Sequence, residues 1–332
     1  WVFHLAGVNR PRDAAEFQTG NVDSTTLVCD QLLRLGRPIP IVLASSSQAL
    51  LDNPYGVSKR QAEEVVRQYA ARSGAPGIIY RLKNVFGKWC RPNYNSVVAT
   101  FCHNVAHDLP LTISDPDKLL ELIYVDDVVA HFAQELATGS LAGVTYREVT
   151  PVYQVTLGRL AELIQSFRQM RQTLVVPDQS DELTHKLYGT YLTYLEPDDF
   201  AYALDKKCDP RGCLAEFVKA APFGQLFVSR TLPGVTRGNH YHHTKTEKFM
   251  VVEGEAVIRF RHLLGGETIE YRVRGEEFRV VDIPPGYTHS IENVGQGELI
   301  TLFWVSEVFN PSRPDTQALP VALDGDIQRE QR

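Results

Sequence analysis

Apolar and polar positions follow two different rhythms along this chain, and the change falls near residue 205. Up to about residue 175, short strand-like apolar runs alternate with segments of helical period. Ile39-Pro-Ile-Val-Leu-Ala44 is an apolar run ending in Ser45-Ser46-Ser47, the pattern of a strand buried on both faces. Asn53-Pro54 supplies an N-cap and first-turn pair. Behind it Ala62, Val65, Val66, Tyr69 and Ala70 recur at i, i+3, i+4, i+7 and i+8, which predicts an amphipathic helix. Gly77-Ile-Ile-Tyr-Arg-Leu82 returns to strand, and Leu157, Leu160, Ile164 and Phe167 mark a further helix. Strands alternating with helices predict a parallel α/β sheet. The opening Trp1-Val-Phe-His-Leu-Ala-Gly7 reads as the interior of a buried strand, with no Met and no signal peptide, so further elements are expected upstream.

The polar segment Asp205-Lys-Lys-Cys-Asp-Pro-Arg-Gly212 is read as the domain boundary, and beyond it the period is two. Thr268-Ile-Glu-Tyr-Arg-Val-Arg274 alternates strictly, with Ile269, Tyr271 and Val273 on one face. Gly265-Gly266 separates it from Ala256-Val-Ile-Arg-Phe260, its expected hairpin partner. Many short strands with Gly and Pro turns predict a double-sheet barrel of the jelly-roll class. The expected organisation is an α/β domain over residues 1–205, an all-β domain over 206–312, and a loose polar tail over 313–332.

Composition narrows the classes. Hydrophobic content of 43% and charge of 22% are those of an ordinary globular protein, and a net charge of −6 gives no reason to expect nucleic acid or anionic membrane as partner. No apolar run approaches the roughly 20 residues that span a bilayer. Five scattered Cys do not read as a disulfide framework; a reducing cytoplasm is the expected compartment, with Cys208 and Cys213 as unlinked structural residues.

Ligand chemistry concentrates in the second half. His240 and His242 are two apart, so on a strand they share a face. Glu247 lies past a short turn and can return on the next strand. His289 follows Pro284-Pro285-Gly286, a turn that fixes where its strand begins. Three imidazoles and a carboxylate can converge on one divalent ion. Mixed N/O ligation suits Zn, Fe, Mn or Ni. His243 points to the opposite face and is read as structural. These stretches resemble the two cupin motifs, G(x)5HxH(x)4E(x)6G from Gly234 to Gly254 and G(x)5PxG(x)2H(x)3N ending at Asn293. One departure stands out: the leading Gly of the second motif is Phe278.

In the first half, Tyr55 and Lys59 are four apart on the expected helix. An ammonium beside a phenol lowers its pKa, which makes Tyr55 a candidate proton donor to a carbonyl, with a strand-end serine to help polarise the same oxygen. This context resembles the extended short-chain dehydrogenase/reductases that act on nucleotide sugars. The resemblance implies a Rossmann-like domain, a triad of Ser47, Tyr55 and Lys59, and a nicotinamide cofactor bordered by Ala6, Gly7 and Asn84. Asn84, Arg91 and Asn95 then become candidates for the sugar and pyrophosphate of the substrate. The Gly-rich phosphate loop of that family is expected upstream of Trp1.

Both halves together resemble the bifunctional capsular-polysaccharide assembling proteins of the CapF type, also called WbjC. Ala6-Gly-Val-Asn-Arg-Pro11, Asp52-Asn-Pro-Tyr-Gly56, Arg91-Pro-Asn-Tyr-Asn-Ser96 and the His240 motif carry the likeness. It implies a homodimer with zinc in the cupin domain and NADPH in the reductase domain. The substrate would be a UDP-linked 4-keto sugar, epimerised at C3 and reduced at C4 on the way to UDP-N-acetyl-L-fucosamine. Two other readings stay open from the residues alone: a non-catalytic metal- or sugar-binding cupin on a defunct Rossmann remnant, and a cupin isomerase or oxygenase.

Overall fold

The computed structural model describes residues 1–138 and 142–322. It has two units, Trp1–Arg168 with Gln179–Asp198, and Gln169–Asp178 with the chain from Asp199 onward. In the first, β1 (Val2–His4), β2 (Ile41–Ser46) and β3 (Pro76–Leu82) lie side by side and parallel. The strands β4 (Asn84–Phe86) and β5 (Leu119–Tyr124) pair parallel in a separate small sheet. β6 (Gly143–Arg147) returns beside β3, and β7 (Tyr153–Thr156) joins the small sheet antiparallel to β5. The helices are α1 (Ala15–Phe17), α2 (Ser24–Arg34), α3 (Pro54–Ser73), α4 (Val97–Ala106), α5 (Val125–Thr138), α6 (Leu157–Thr173) and α7 (Glu182–Leu192). A π-helical turn, Gln18–Asp23, joins α1 to α2.

The α3 helix forms as its sequence predicts. The Asn53 side chain accepts a hydrogen bond from the Gly56 amide (2.8 Å), Pro54 opens the first turn, and Gly74 ends the helix in the left-handed conformation. Ala62, Val66 and Tyr69 of its stripe pack with Ile41, Leu43 and Ile79 of the sheet, and Ala70 is buried beside them in sequence. Each aliphatic side chain buried this way stabilises the fold by about 1.5–3 kcal/mol. The result fixes α3 against the sheet at the C-terminal end of β2, where parallel α/β folds place their ligands.

In the second unit β8 (Lys206–Asp209), β9 (Gly212–Ala220), β10 (Gly224–Thr231), β11 (Thr236–Tyr241), β12 (Glu247–Glu253), β13 (Glu255–His262), β14 (Ile269–Arg274), β15 (Val280–Ile283), β16 (Tyr287–Asn293), β17 (Leu299–Val305) and β18 (Gln317–Ala318) form two sheets. Their orders are β15-β12-β17-β10-β9-β8 and β14-β13-β16-β11-β18, every named pair antiparallel. Inward residues of both, including Phe249, Ile258, Phe260, Ile291, Leu299 and Phe303, make one core. This is the jelly-roll architecture the period-two half predicts.

Three details depart from the sequence reading. Cys208 and Cys213 are cross-strand neighbours on β8 and β9 and form a disulfide. Ile269 and Tyr271 do not join Val273 in the core, because β14 is an edge strand with its outer end open to solvent. The tail is not loose over its described part, 313–322. β18 pairs with β11, Arg261 donates to the carbonyls of Pro320 and Val321, and Val321 is buried. The last ten residues of that tail, 323–332, lie outside the described residues. Among the described residues no helix is long and apolar enough to cross a membrane.

Candidate functional sites

At the C-terminal end of β2, α3 carries Tyr55 and Lys59 one turn apart. Lys59 is buried, and its Nζ donates to the Ala44 carbonyl on β2 at 2.8 Å. Burial lowers its pKa to about 8, against the opposing pull of Glu63 one turn further along. Glu63 is itself buried. It accepts from Ser45 Oγ at 2.5 Å and from Arg81 Nε and Nη2 at 3.0 and 2.6 Å, tying α3 to β2 and β3.

Tyr55 corrects one expectation. Burial raises its pKa, and a hydrogen bond with the Ser46 side chain only partly offsets this. The expected lowering by Lys59 is not seen, because the ammonium is directed at the strand carbonyl. Of the three serines it is Ser46 whose side chain acts on the phenol; Ser47 opens the 3-10 turn Ser47–Leu50 beside it.

The loop after β1 runs over this group. A Cβ on Gly7 would lie 2.8 Å from Asn21 Oδ1 and 3.5 Å from Lys59 Nζ. Asn21 is a residue the sequence reading missed. It sits buried in the π-helical turn, accepts from the Val8 amide (2.8 Å), and donates to the Val8 carbonyl and Ser58 Oγ (both 2.9 Å). A lone Asn in a polar stretch carries no signal; only the irregular helix, a feature common at functional sites, marks it. Asn84, Arg91 and Asn95 have their contacts elsewhere or are solvent-facing. Asn84 donates to the Glu121 carbonyl (3.2 Å), Arg91 lies over the Tyr94 ring (5.3 Å), and Asn95 is exposed just before α4.

In the jelly-roll unit the expected ligands do converge. One donor atom from each of His240, His242, Glu247 and His289 lies within 4.8 Å of the others. A bulge near Gly238 lets β11 bring His240 opposite His289 of β16. Glu247 opens β12 and sits 3.4 Å from His242 Nε2 and 3.2 Å from His289 Nε2. Those contacts are not aligned as hydrogen bonds: His242 Nε2, His289 Nε2 and Glu247 Oε2 are fully buried with no hydrogen-bond partner. Three orphaned polar atoms aimed at one point are costly without a cation, so the donor set fits a divalent metal.

The tautomers agree. His242 Nδ1 bonds to the Asp315 carbonyl (2.5 Å) and His289 Nδ1 to that of Tyr287 (3.4 Å). A carbonyl only accepts, so both protons sit on Nδ1 and both Nε2 lone pairs face inward. His240 is lowered to about 4 by burial and by His289, which keeps it a neutral ligand. His243 is exposed and outside the cluster, as its opposite phase predicts.

Comparison with known proteins places both units. Residues 1–142 match the NAD dependent epimerase/dehydratase family, and residues 207–317 match the polysaccharide biosynthesis C-terminal domain. The chain is 45% identical over 321 residues to the UDP-2-acetamido-2,6-beta-L-arabino-hexul-4-ose reductase of Pseudomonas aeruginosa, covering 97% of this chain and 86% of that protein. It is also 28% identical over 127 residues to the spore coat polysaccharide biosynthesis protein SpsL of Bacillus subtilis, a match over 35% of this chain and 84% of SpsL. Among solved structures, the capsular polysaccharide assembling protein CapF of Staphylococcus aureus superposes with a TM-score of 0.88 at 46% identity, over 97% of this chain and 87% of that one. With that identity held across nearly its whole length and both of its units, the chain belongs to the CapF family of capsular polysaccharide assembling proteins.

Proposed function

We propose that the chain is a bifunctional nucleotide-sugar enzyme. Its jelly-roll unit, read as a zinc-holding cupin, epimerises C3 of a UDP-2-acetamido-2,6-dideoxy-4-hexulose. Its Rossmann-like unit reduces the C4 ketone to UDP-2-acetamido-2,6-dideoxy-L-talose, toward UDP-N-acetyl-L-fucosamine for capsule. The observation that carries the reductase half is the grouping of a phenol, a serine hydroxyl and a buried ammonium at the end of β2. The Pseudomonas relative's name, a hexul-4-ose reductase, supports the same reaction.

NADPH, when bound, supplies the hydride that reduces C4. Tyr55 gives the matching proton to the C4 oxygen, and the strand-end serine, Ser46 or Ser47, polarises that oxygen. Lys59 stabilises the phenolate left behind, and Asn21 holds the Ala6–Gly7 loop over Lys59, where the cofactor's edge would lie. Asn84, Arg91 and Asn95 are the proposed sugar and pyrophosphate contacts. His240, His242, Glu247 and His289 would hold the divalent ion. When bound, that ion supplies Lewis-acid charge near a keto oxygen, which acidifies the neighbouring C3 proton. The protein works as a homodimer in this reading.

The test separates the two halves in the intact protein. Tyr55→Phe should lose NADPH oxidation with a 4-keto UDP-sugar by about 10²- to 10⁴-fold, while solvent deuterium still enters C3. His289→Ala should lose its metal and C3 deuterium uptake, and keep NADPH oxidation only when given the C3-epimerised ketone, with His243→Ala close to wild type. Undiminished NADPH turnover in Tyr55→Phe sinks the reductase assignment. A His243→Ala variant as damaged as His289→Ala sinks the ligand set.

A further inference from the structure

We infer that the segment from Pro314 to Val321 is a strap that positions the metal ligand His242, with Asp315 as its clasp, so that strap and ion hold each other in place. The inference rests on the metal-binding reading of His240, His242, Glu247 and His289.

Asp315 grips the turn that follows His242 with its carboxylate. One oxygen accepts from the His243 amide (3.0 Å). The other accepts from the Thr244 amide (2.9 Å), the Lys245 amide (3.1 Å) and Thr244 Oγ1 (2.9 Å). These bonds keep the carboxyl ionised, well below its usual range. They also hold the residue at φ +40°, a left-handed conformation that a non-glycine residue keeps only when its surroundings impose it. With the backbone so fixed, the Asp315 carbonyl meets His242 Nδ1 and places that ring's proton, leaving Nε2 free toward Glu247.

The rest of the strap is tied beside the other ligands. His240 pairs with Ala318 across β11 and β18, and the Leu319 amide donates to the Asn239 carbonyl (2.9 Å). Thr288, next to His289, donates to the Leu319 carbonyl, and Lys245 Nζ donates to that of Pro314. Arg261 holds the far end through the carbonyls of Pro320 (2.9 Å) and Val321 (2.7 Å). Each imidazole ligand therefore has the strap bonded to it or to an adjacent residue. Asp315 touches no reacting atom; it acts through His242 and is a positioning residue. Groups that orient a ligand through one shared arrangement are coupled reciprocally, so the ion should also quiet the strap.

Two measurements on the whole protein test this. The first is zinc affinity by competition with a chromogenic chelator. Asp315→Ala, checked as folded by circular dichroism, should bind about 10- to 100-fold more weakly than wild type. The second is amide hydrogen exchange over Thr316–Leu319 in wild type, which should speed up when the ion is stripped by the chelator. Wild-type affinity in a folded Asp315→Ala protein overturns the strap while the ligand set survives. So does exchange in Thr316–Leu319 that ignores the ion, and this readout stands if the variant does not fold. A wild-type protein that takes up no zinc overturns the ligand set itself, and the strap's role with it.

Discussion

Lys59 shows how one residue serves opposing demands. In the proposed reduction its ammonium would offset negative charge on Tyr55 only while protonated, and burial brings its pKa down from 10.5 to about 8. Reductase activity should therefore be full below that value and fall as pH rises through about 8. Lys59→Arg, which stays charged, should move the falling limb to higher pH. Stability runs the other way. Between about 8 and 10.5 the unfolded chain holds a proton that the folded one has released, so this residue makes stability rise with pH across that window. A pH–rate profile of NADPH oxidation, set beside urea midpoints at the same pH values, checks both signs. Phe278 carries a lesson about reading single letters. The motif has glycine there, and the structure supplies the reason: φ is +48°. The aromatic ring is largely exposed, so the backbone bears strain of about 1–2 kcal/mol while the core is untouched.

At the scale of elements, the bulge in β11 decides whether the imidazoles meet. Gly238 has φ +91°, and a Cβ there would lie 2.8 Å from the His289 carbonyl and 3.0 Å from the Ser290 Cα. Gly238→Ala should cost about 1–3 kcal/mol and reduce bound metal, read as a lower urea midpoint and a lower metal-to-protein ratio. Unchanged metal content would mean that the bulge does not set the position of His240. Period and caps made α3, β2 and the β13–β14 hairpin legible in the sequence, because each follows from local chemistry. Less legible were features fixed by distant partners. The exposure of Ile269 and Tyr271 depends on which strand ends the sheet, and the burial of Asn21 depends on a loop thirteen residues upstream. Spacing did predict that His240, His242, Glu247 and His289 would lie together, since two strands and a Pro-Pro-Gly turn leave them few directions; nothing in the letters around Asp315 pointed to His242.

At the scale of the molecule, each unit has its own apolar core, and one of them also holds the cluster of His240, His242, Glu247 and His289. A ligand that binds only the folded form stabilises it by about 2.7 kcal/mol at a hundredfold excess over its dissociation constant. Calorimetry should resolve two transitions, of which chelation lowers only one, and His289→Ala should already show that one lowered. A single transition, or an equal drop in both, would argue against independent cores. Among the described residues the two sheets of the jelly roll never close into a ring. β14 and β18 end one, β15 and β8 the other. An open border is a template on which another chain can add itself, and β14 presents Ile269 and Tyr271 there. The same strand intersperses Glu270, Arg272 and Arg274. A second copy laid alongside with its arginines facing these would meet like charge. Neutralising Arg272 and Arg274 should therefore leave the fold intact yet shorten the time before concentrated solutions turn cloudy, a defect of crowding and storage that no activity assay would register.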